Sequence, residues 1–187
     1  EPTGRFPITV PEHEGQIPIY YGRKIPGKVV ECNKDRFNKE LKGQLDKPWI
    51  YGSYEYFLPM YPFGYGLSYG DAAIGAVTVN GQAVAGGAGV AVDTSAEVTV
   101  AVTVENKSNI ALGEVVQIYI KDVTSEYAPT AGKLCGFARV NLAAGEKKQV
   151  SVVLDEDAFT VVNNQGQKIK DGKQFTVSVG FGQADAR

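Results

Sequence analysis

Regular alternation between apolar and polar residues is the feature that most restricts how this chain can fold. In the segment EVTVAVTVE (97–105), valine occupies every second position, with threonine or alanine between. A period of two places these valines on one face of an extended strand. The pattern recurs at 114–122, 148–155 and 173–181. The predicted apolar faces are Val98, Val100, Val102 and Val104; Val116, Ile118 and Ile120; Val150, Val152 and Leu154; and Phe175, Val177, Val179 and Phe181. We therefore predict four half-buried β-strands.

Weaker strand patterns occur at 73–81, 133–142 and 158–164, and turn-forming residues separate the strands. The glycine-rich GGAG (86–89) precedes no helix, so it does not fit a phosphate loop, and we interpret it as a flexible hairpin. About seven short strands without a convincing helix predict a mainly β fold, an antiparallel β-sandwich of the immunoglobulin or fibronectin type III kind. We assign it to residues 71–187.

Residues 1–70 have a different character, with eight of the ten tyrosines, eight of the nine prolines and the only tryptophan. Proline at this density interrupts helices and sheet ladders alike. Only 34–45 has the spacing for a helical turn or two. The segment is therefore predicted to be irregular and to lie across another folded body, while its aromatic content argues against disorder.

The nonapeptide YPFGYGLSY (61–69) places a large residue at every odd position and a small or rigid one at every even position. In an extended chain, all the large groups would share one face. Glycine weakens a strand, so Gly64 and Gly66 need a compensating role, such as close approach of the backbone to a neighbour. The pattern alone leaves three interpretations open: a sugar-binding platform, a structural strap or a linker.

Charge and cysteine content exclude several classes of function. The net charge of −2 gives no basic surface for nucleic acid or acidic membranes, and no apolar run is long enough for a membrane helix. Cys32 and Cys135 lack the spacing of a zinc site. We interpret Cys135 as a buried free thiol. The compartment stays undetermined, with a secreted or periplasmic location slightly favoured over a cytoplasmic one.

The only histidine, His13, lies in PEHEGQIP and is interpreted as a solvated loop residue, which leaves carboxylates as the plausible catalytic groups. The acidic residues of 71–187 are interpreted as solubilising charges at strand ends and turns. They are Glu97, Glu105, Glu114, Asp122, Glu126, Glu146, Asp155, Glu156 and Asp157. The run 155–157 is interpreted as a solvated turn in preference to a calcium loop. We expect neither a metal nor an organic cofactor.

The aromatic-rich stretch KPWIYGSYEYFLP (47–59) has two interpretations. Its rings could stack against the apolar faces of sugars, or they could seal the segment against a neighbouring domain. Packing is favoured for the group as a whole, with one or two rings near a ligand. The rings are Trp49, Tyr51, Tyr54, Tyr56 and Phe57.

Three motifs in this order, GRFPITVP (4–11), GQIPIYY (15–21) and YPFGYGLSY (61–69), resemble glycoside hydrolase family 3. There they are similar to the end of the second, α/β sandwich domain and to the strap that leaves it. EVVQIYIKD (114–122) and the stretch 133–154 resemble the fibronectin type III-like domain that ends many of these enzymes. The resemblance implies that 1–70 completes an α/β domain and that 61–69 is a strap.

Enzymes of this family are exo-acting and retaining, and a retaining mechanism uses two carboxylates roughly 5 Å apart. In the family, the nucleophile is an aspartate of an N-terminal barrel and the acid/base is a glutamate ahead of the GRFPITVP-like segment. Neither motif occurs in this chain, so no residue is assigned as catalytic. The chain does not begin with methionine, and we expect it to be a processed or cut piece.

The resemblance thus implies the C-terminal portion of a β-glucosidase, with the N-terminal catalytic part and a β-linked oligosaccharide as partners. Trp49, Tyr51 and Tyr54 are the candidate substrate-binding residues at the pocket rim. The divergence of residues 22–60 from common members leaves the sugar open, and a β-xylosidase is the alternative within the family. A stand-alone carbohydrate-binding or structural sandwich is the alternative outside it. Homo-oligomerisation also stays open.

Overall fold

The computed structural model of the 187-residue chain describes residues 2, 4–11, 21, 59–86, 88–129 and 131–183. Within these ranges the regular elements are strands, apart from one 3₁₀ helix at Glu156–Phe159. The strands are β1 (Ala72–Val79), β2 (Gln82–Val84), β3 (Val98–Asn106), β4 (Leu112–Asp122), β5 (Lys133–Leu142), β6 (Lys147–Leu154), β7 (Val161–Val162), β8 (Lys168–Ile169) and β9 (Phe175–Gly180).

All strand pairs are antiparallel. One sheet has the order β2-β1-β3-β6, the other has the order β5-β4-β9, and β7 with β8 forms a separate small hairpin. The four segments predicted from alternation correspond to β3, β4, β6 and β9, and the weaker pattern at 133–142 corresponds to β5. The predicted antiparallel β-sandwich is therefore confirmed.

The hydrophobic core lies between the two sheets, because the alternating side chains of β3 meet those of β4. Val100, Val102 and Val104 of β3 are completely buried, as are Val116 and Ile118 of β4. They belong to two adjoining apolar clusters, which Leu154 of β6 and Leu142 of β5 extend on either side. Burial of these side chains removes apolar surface from water, which is the main favourable contribution to folding.

The hairpin prediction for residues 86–89 is wrong. The strands on either side of this stretch, β2 and β3, both pair with β1 and not with each other. The tight hairpin is instead Asn80-Gly81, between the paired residues Val79 and Gln82. Both turn residues have positive φ, 47° and 78°, which is the type I′ geometry that asparagine and glycine favour.

The prediction of one strand over 158–164 is only partly right. The amide of Ala158 donates to the carbonyl of Asp155 (3.1 Å), which closes the 3₁₀ helix and buries Phe159 in the core. Extended structure begins only at Val161. The sequence does not predict this helical turn, because two neighbouring acidic residues followed by a short apolar run show neither the strand period nor the helix period.

The described part of residues 1–70 lies on the sandwich as two branches, residues 4–11 and 59–70, which we call the strap. The branches meet in a β-bridge between Val10 and Tyr61. The amide of Phe6 donates to the carbonyl of Tyr65 (2.8 Å), and the amide of Gly64 donates to the carbonyl of Phe6 (2.8 Å). The prediction that an irregular segment lies across another body is confirmed for these residues.

The expectation that residues 61–69 form one extended face is wrong. The amide of Tyr65 donates to the carbonyl of Pro62 (3.1 Å), so the chain turns there, and Gly64 has a φ of 78°. Positive φ at the third residue is what a type II turn requires and what glycine permits. The turn separates the rings: Tyr61 stacks on Tyr65, whereas Phe63 stacks on Tyr21.

Candidate functional site at the strap junction

The predicted substrate-binding residues, Trp49, Tyr51 and Tyr54, lie outside the described residues. The same holds for the helical turn predicted at 34–45 and for His13 and Cys32. These remain predictions. The functional feature that the structure does describe is the junction between the strap and the three-stranded sheet.

The central strand of that sheet, β4, is buried along nearly its whole length. Nine of its eleven residues are buried, although its alternation predicted a strand buried on one face only. The apolar residues Val116, Ile118 and Ile120 belong to the core. Gln117 and Tyr119 contact the strap. The strap therefore supplies a second buried side for β4.

A buried ion pair joins the strap to β4. Arg5 contacts Glu114, and their side chains are only 8% and 4% exposed. The guanidinium also donates to the hydroxyl of Ser68 (3.3 Å) and to the carbonyl of Phe181 (3.2 Å), while Ser68 donates to Glu114 (2.6 Å). Burial, followed by the positive charge of Arg139, lowers the pKa of Arg5. One charged contact thus joins four segments: the two branches of the strap, β4 and the chain after β9.

Gly66 makes this contact sterically feasible. A Cβ atom at residue 66 would lie 2.5 Å from Cδ of Arg5 and 3.0 Å from its Nη1. A larger residue would require the Arg5 side chain to shift. The predicted role of the strap glycines, close backbone approach, is confirmed at this position.

A second polar contact lies beside the first. Nε2 of Gln117 donates to the carbonyl oxygens of Gly64 (2.9 Å) and Phe181 (3.0 Å). The hydroxyl of Tyr119 donates to Oε1 of Gln117 (2.5 Å), and burial raises the pKa of Tyr119. A Cβ atom at Gly64 would collide with this hydroxyl and with Oε1 of Gln117. The backbone of the strap is therefore held by an amide that a buried phenol orients.

Tyr21 makes the third contact. Its hydroxyl donates to the carbonyl of Gly132 (2.8 Å) and accepts from the amide of Leu134. Its ring stacks on Phe63 with ring centroids 4.0 Å apart. Burial raises the pKa of Tyr21 to about 12, against the opposing effect of the Leu134 amide. The phenol therefore stays protonated at neutral pH and can act as donor and acceptor at once.

On the strap, Phe6, Tyr61 and Tyr65 form an aromatic cluster. Ring centroids are 5.7 Å apart for Phe6 and Tyr61, 6.4 Å for Phe6 and Tyr65, and 4.9 Å for Tyr61 and Tyr65. Phe6 and Tyr61 are exposed, and so are the neighbouring Ile8 and Met60. Exposed apolar groups that lie together in this way mark contact surfaces more often than isolated ones do.

A groove of about 130 Å³ lies beside the junction. It is lined by Tyr119, Lys121, Val123, Gly132, Thr176, Ser178 and Gln183. The lining holds no carboxylate, so it does not offer the acid and nucleophile of glycoside hydrolysis. Within the described ranges, no group of three histidine, cysteine or acidic residues could hold a metal ion.

Two of the predicted acidic positions are buried in structural roles. Glu114 lies within β4 and pairs with Arg5, so its interpretation as a solubilising strand-end charge is wrong. Asp122 is buried at the end of β4, where Oδ1 accepts from the amides of Thr124 (2.9 Å) and Ser125 (3.0 Å). The alternation of apolar and polar residues in the sequence does not distinguish these two buried carboxylates from the exposed ones.

The run 155–157 is exposed, as predicted, and leads into the 3₁₀ helix. Glu156 pairs with Lys170 (2.9 Å) and Asp157 with Lys168 (2.6 Å). Cys135 is a free thiol, half-buried on β5, and burial raises its pKa. A thiol that is less ionised is a poorer nucleophile, so it has a packing role. No helix in the described part of the chain is long and apolar enough to cross a membrane.

The junction residues Arg5, Ser68, Gln117 and Tyr119 were not singled out from the sequence. One signal was available, since glutamine and tyrosine at 117 and 119 alternate with the apolar residues and so occupy the second face of the strand. A polar side chain in such a strand needs a partner. Gly64 lies 53 residues from Gln117, and Arg5 lies 109 residues from Glu114. A single sequence does not reveal partners at such separations.

Comparisons with known proteins identify the domain in this chain and the enzymes to which it is similar. Residues 114–183 match the model of the fibronectin type III-like domain, in agreement with the two-sheet sandwich. The chain is 31% identical to the periplasmic β-glucosidase of Salmonella typhimurium over 98% of its own length and 22% of that protein. It is 30% identical to a putative β-xylosidase of Formosa agariphila over 98% of its length and 21% of that protein.

Among solved structures, a β-glucosidase from Listeria innocua in complex with glucose superimposes with a TM-score of 0.71. The identity is 30%, over 97% of this chain and 23% of that one. The chain corresponds to a C-terminal portion of β-glucosidases and β-xylosidases of glycoside hydrolase family 3. It spans about a fifth of the length of the curated relatives that it matches.

Proposed function

We propose that this chain is the C-terminal portion of an exo-acting, retaining β-glucosidase that removes terminal non-reducing β-D-glucosyl residues. The observation that carries the proposal is the match to a β-glucosidase over 98% of this chain. The role of the chain is to stabilise the catalytic domains. Its buried polar junction suits this role, because hydrogen-bonded ion pairs hold one orientation where apolar packing alone would allow several.

The catalytic aspartate and glutamate belong to another segment of the enzyme. Several acidic residues of the sandwich are committed to structural contacts: Glu114 with Arg5, Glu105 with Lys107 and Lys147, and Glu156 and Asp157 with lysines. A general acid needs a pKa raised towards the working pH. The pKa values of Glu105 and Asp157 are instead lowered, chiefly by hydrogen bonds from Lys107 and Lys168 respectively.

The division of the chain is part of the same proposal. Residues 1–70 are the end of the α/β sandwich domain and the connecting strap, and 71–187 are the fibronectin type III-like domain. Trp49, Tyr51 and Tyr54 contribute to the rim of the substrate pocket, where flat rings can stack on sugars.

A β-xylosidase is the second candidate, and the 30% identity to the Formosa agariphila protein over nearly the whole chain favours it. Glucosides and xylosides are distinguished by groups in the catalytic pocket, and fold similarity does not decide between them. The assay below therefore uses both substrates.

The proposal is tested by measuring hydrolysis of an aryl β-glucoside and an aryl β-xyloside. The chain alone should hydrolyse neither, and the enzyme that contains both this chain and the N-terminal catalytic part should prefer the glucoside. A preference for the xyloside would select the second candidate. Hydrolysis by the isolated chain would contradict the assignment of the catalytic pair to another segment. Tight binding of soluble β-glucan by the chain alone would favour a stand-alone binding module.

The pocket-rim role is tested by Trp49→Ala in the complete enzyme. Loss of a stacking ring should raise KM by roughly tenfold with a smaller change in kcat, since about 1–1.5 kcal/mol of ring contact is lost. The matched control is Phe137→Ala, which removes an exposed ring from β5. An unchanged KM for Trp49→Ala would remove this residue from the rim.

A further inference from the structure

The turn between β1 and β2 contains the dipeptide Asn80-Gly81, the only asparagine of the chain that is followed by glycine. The backbone nitrogen that follows an asparagine can attack the side-chain carbonyl carbon of that residue, and glycine leaves this nitrogen without a hindering side chain. Both turn residues are exposed to solvent. The turn therefore places an accessible nucleophile beside an accessible carboxamide.

Neither the attacking nitrogen nor the leaving amine of this pair is held by a hydrogen bond within the described ranges. The amide of Gly81 donates to no acceptor there, and neither does Nδ2 of Asn80. Apart from its chain neighbours, no atom lies within 4 Å of the position that a Cβ atom of Gly81 would take. Both nitrogens can therefore move without the loss of a hydrogen bond.

The carbonyl oxygen of the Asn80 side chain, in contrast, does have a partner. Oδ1 accepts from the backbone amide of Thr99 (2.8 Å), and the backbone amide of Asn80 donates to the carbonyl of Thr99 (2.8 Å). Negative charge develops on Oδ1 when Cγ is attacked, and a donor already placed on this oxygen stabilises that charge. The bond from Thr99 thus polarises the carbonyl that the Gly81 nitrogen would attack.

Asn106, at the end of β3, has the opposite arrangement. It is completely buried, and its Nδ2 donates to the carbonyls of Ile110 (2.7 Å) and Ala143 (2.9 Å). The next backbone amide, that of Lys107, donates to the carbonyl of Asp71 (2.8 Å). The same reaction at Asn106 would therefore have to break three hydrogen bonds.

We propose that Asn80 is a site of spontaneous covalent modification, at which the side-chain amide becomes a carboxylate through a cyclic imide. The nitrogen of Gly81 forms a bond to Cγ of Asn80, and the bond from Cγ to Nδ2 breaks. Ammonia leaves with the proton that the Gly81 nitrogen loses. Water then adds to either carbonyl of the imide ring and opens it. One opening yields aspartate, and the other yields isoaspartate, in which the main chain runs through the former side chain.

The two products have different effects on the hairpin. Aspartate keeps the backbone length and an oxygen that accepts from the Thr99 amide. Isoaspartate adds one carbon to the main chain of a two-residue turn, which disrupts the pairing of Val79 with Gln82. β2 has only three residues and pairs with β1 alone, and its Val84 packs against the core. Isoaspartate at this position should therefore release β2 from the sheet.

The experiment incubates the complete enzyme at mildly alkaline pH below its unfolding temperature and follows peptides of this chain by mass spectrometry. The peptide with Asn80 should gain the mass that separates a carboxyl group from an amide. Conversion should be at least about tenfold faster than at Asn106, because a difference in barrier of about 1.4 kcal/mol, comparable to one hydrogen bond, gives that ratio. Labelling by an isoaspartyl methyltransferase distinguishes isoaspartate from aspartate.

Gly81→Ala tests the identity of the nucleophile. The added methyl group hinders ring closure and should slow conversion of Asn80 by about tenfold. Gly145→Ala is the matched control, because Gly145 also has a positive φ (70°) and open space around its would-be Cβ, but does not follow an asparagine. It should leave the conversion of Asn80 unchanged. Asn80→Asp supplies the aspartate product alone and should unfold at the same urea concentration as the unmodified enzyme, whereas the isoaspartate fraction should unfold at a lower one.

Equal conversion of Asn80 and Asn106 would overturn the proposal. An unchanged rate in Gly81→Ala would also overturn it, since water and not the Gly81 nitrogen would then be the nucleophile. If the isoaspartate fraction unfolded at the same urea concentration as Asn80→Asp, the release of β2 would be wrong. None of these measurements uses glycoside hydrolysis, so the proposed function can fail without affecting them.

Discussion

The core of the sandwich and the strap junction are buried to a similar degree but built from opposite chemistry. Val102 and Ile118 have no exposed surface and contact only apolar neighbours within their clusters. Glu114, Gln117 and Tyr119 are nearly as buried, yet each makes hydrogen bonds through its side chain. One strand, β4, thus takes part in two kinds of packing.

Because of this difference, the core and the junction have separate roles: one stabilises the sandwich and the other orients the strap. Apolar burial is non-directional, so the core stabilises the sandwich without selecting one position for a neighbouring segment. Hydrogen bonds and ion pairs are directional, and a buried polar group that loses its partner is costly. The junction therefore fixes where the strap lies, and the core determines whether the sandwich folds.

The largest effect is expected for Ile118→Ala in the core. Ile118 is completely buried between the sheets, and truncation of such a residue leaves a cavity that lowers the free energy of unfolding by about 2–5 kcal/mol. Urea unfolding followed by far-ultraviolet circular dichroism measures the loss. Because β4 also carries the junction, the strap should be released in the same transition.

The control for Ile118→Ala is Val153→Ala, at an exposed position on β6. It removes apolar carbon from the same sandwich without opening a core cavity, so its transition should stay close to the original. Equal losses for the two variants would contradict the placement of the core between the sheets.

A smaller and more local effect is expected for Gly64→Ala at the junction. The new Cβ would collide with the Tyr119 hydroxyl and Oε1 of Gln117, and residue 64 has a φ of 78°. Positive φ costs a non-glycine residue about 1–2 kcal/mol, and the collision adds to it. The strap should detach while the sandwich stays folded, which limited proteolysis within residues 1–70 would report.

Gly81→Ala is the matched control, because Gly81 has the same φ of 78° but no atom within 4 Å of its would-be Cβ. The difference in strap release between the two variants therefore reports the effect of the collision with Gln117 and Tyr119. If Gly81→Ala released the strap as readily as Gly64→Ala, backbone strain and not the junction would explain the result.

The same contrast explains how much of the structure could be predicted from the sequence. The valines of β3 and the apolar face of β4 follow a period of two, so local pattern and tertiary burial agree. The hairpin at Asn80-Gly81 was also within reach, since this dipeptide is the strongest signal for a two-residue turn. The strand predicted at 73–81 instead runs across this dipeptide, whereas β1 ends at Val79.

The junction could not be predicted in the same way. Gly64 forms a local turn and Gly66 gives Arg5 room, but the close contacts at both positions involve side chains distant in sequence. Glu114 resembles any exposed strand-end acid until its partner is known. The connecting strap that the family resemblance implies remains a prediction, as does the substrate-binding role of Trp49, Tyr51 and Tyr54.

The smallest effect is expected at Tyr21, as a change in how the stability of the junction depends on pH. Burial raises the pKa of Tyr21 in the folded chain to about 12, from an ordinary value of 10.0. The folded state therefore retains its phenolic proton where the unfolded state has lost it. This contribution is complete below pH 10 and is lost as the pH rises towards 12. Attachment of the strap should weaken over this interval.

Tyr21→Phe should reduce that weakening, because it removes one titrating group, although Tyr119 still contributes. Tyr69→Phe, at an exposed position of the strap, is the control and should leave the slope unchanged. The slope is measured from strap release by proteolysis at a series of pH values. An equal slope in Tyr21→Phe and the unmodified chain would show that the Tyr21 hydroxyl does not hold the strap, and the junction would then consist of its two contacts on β4.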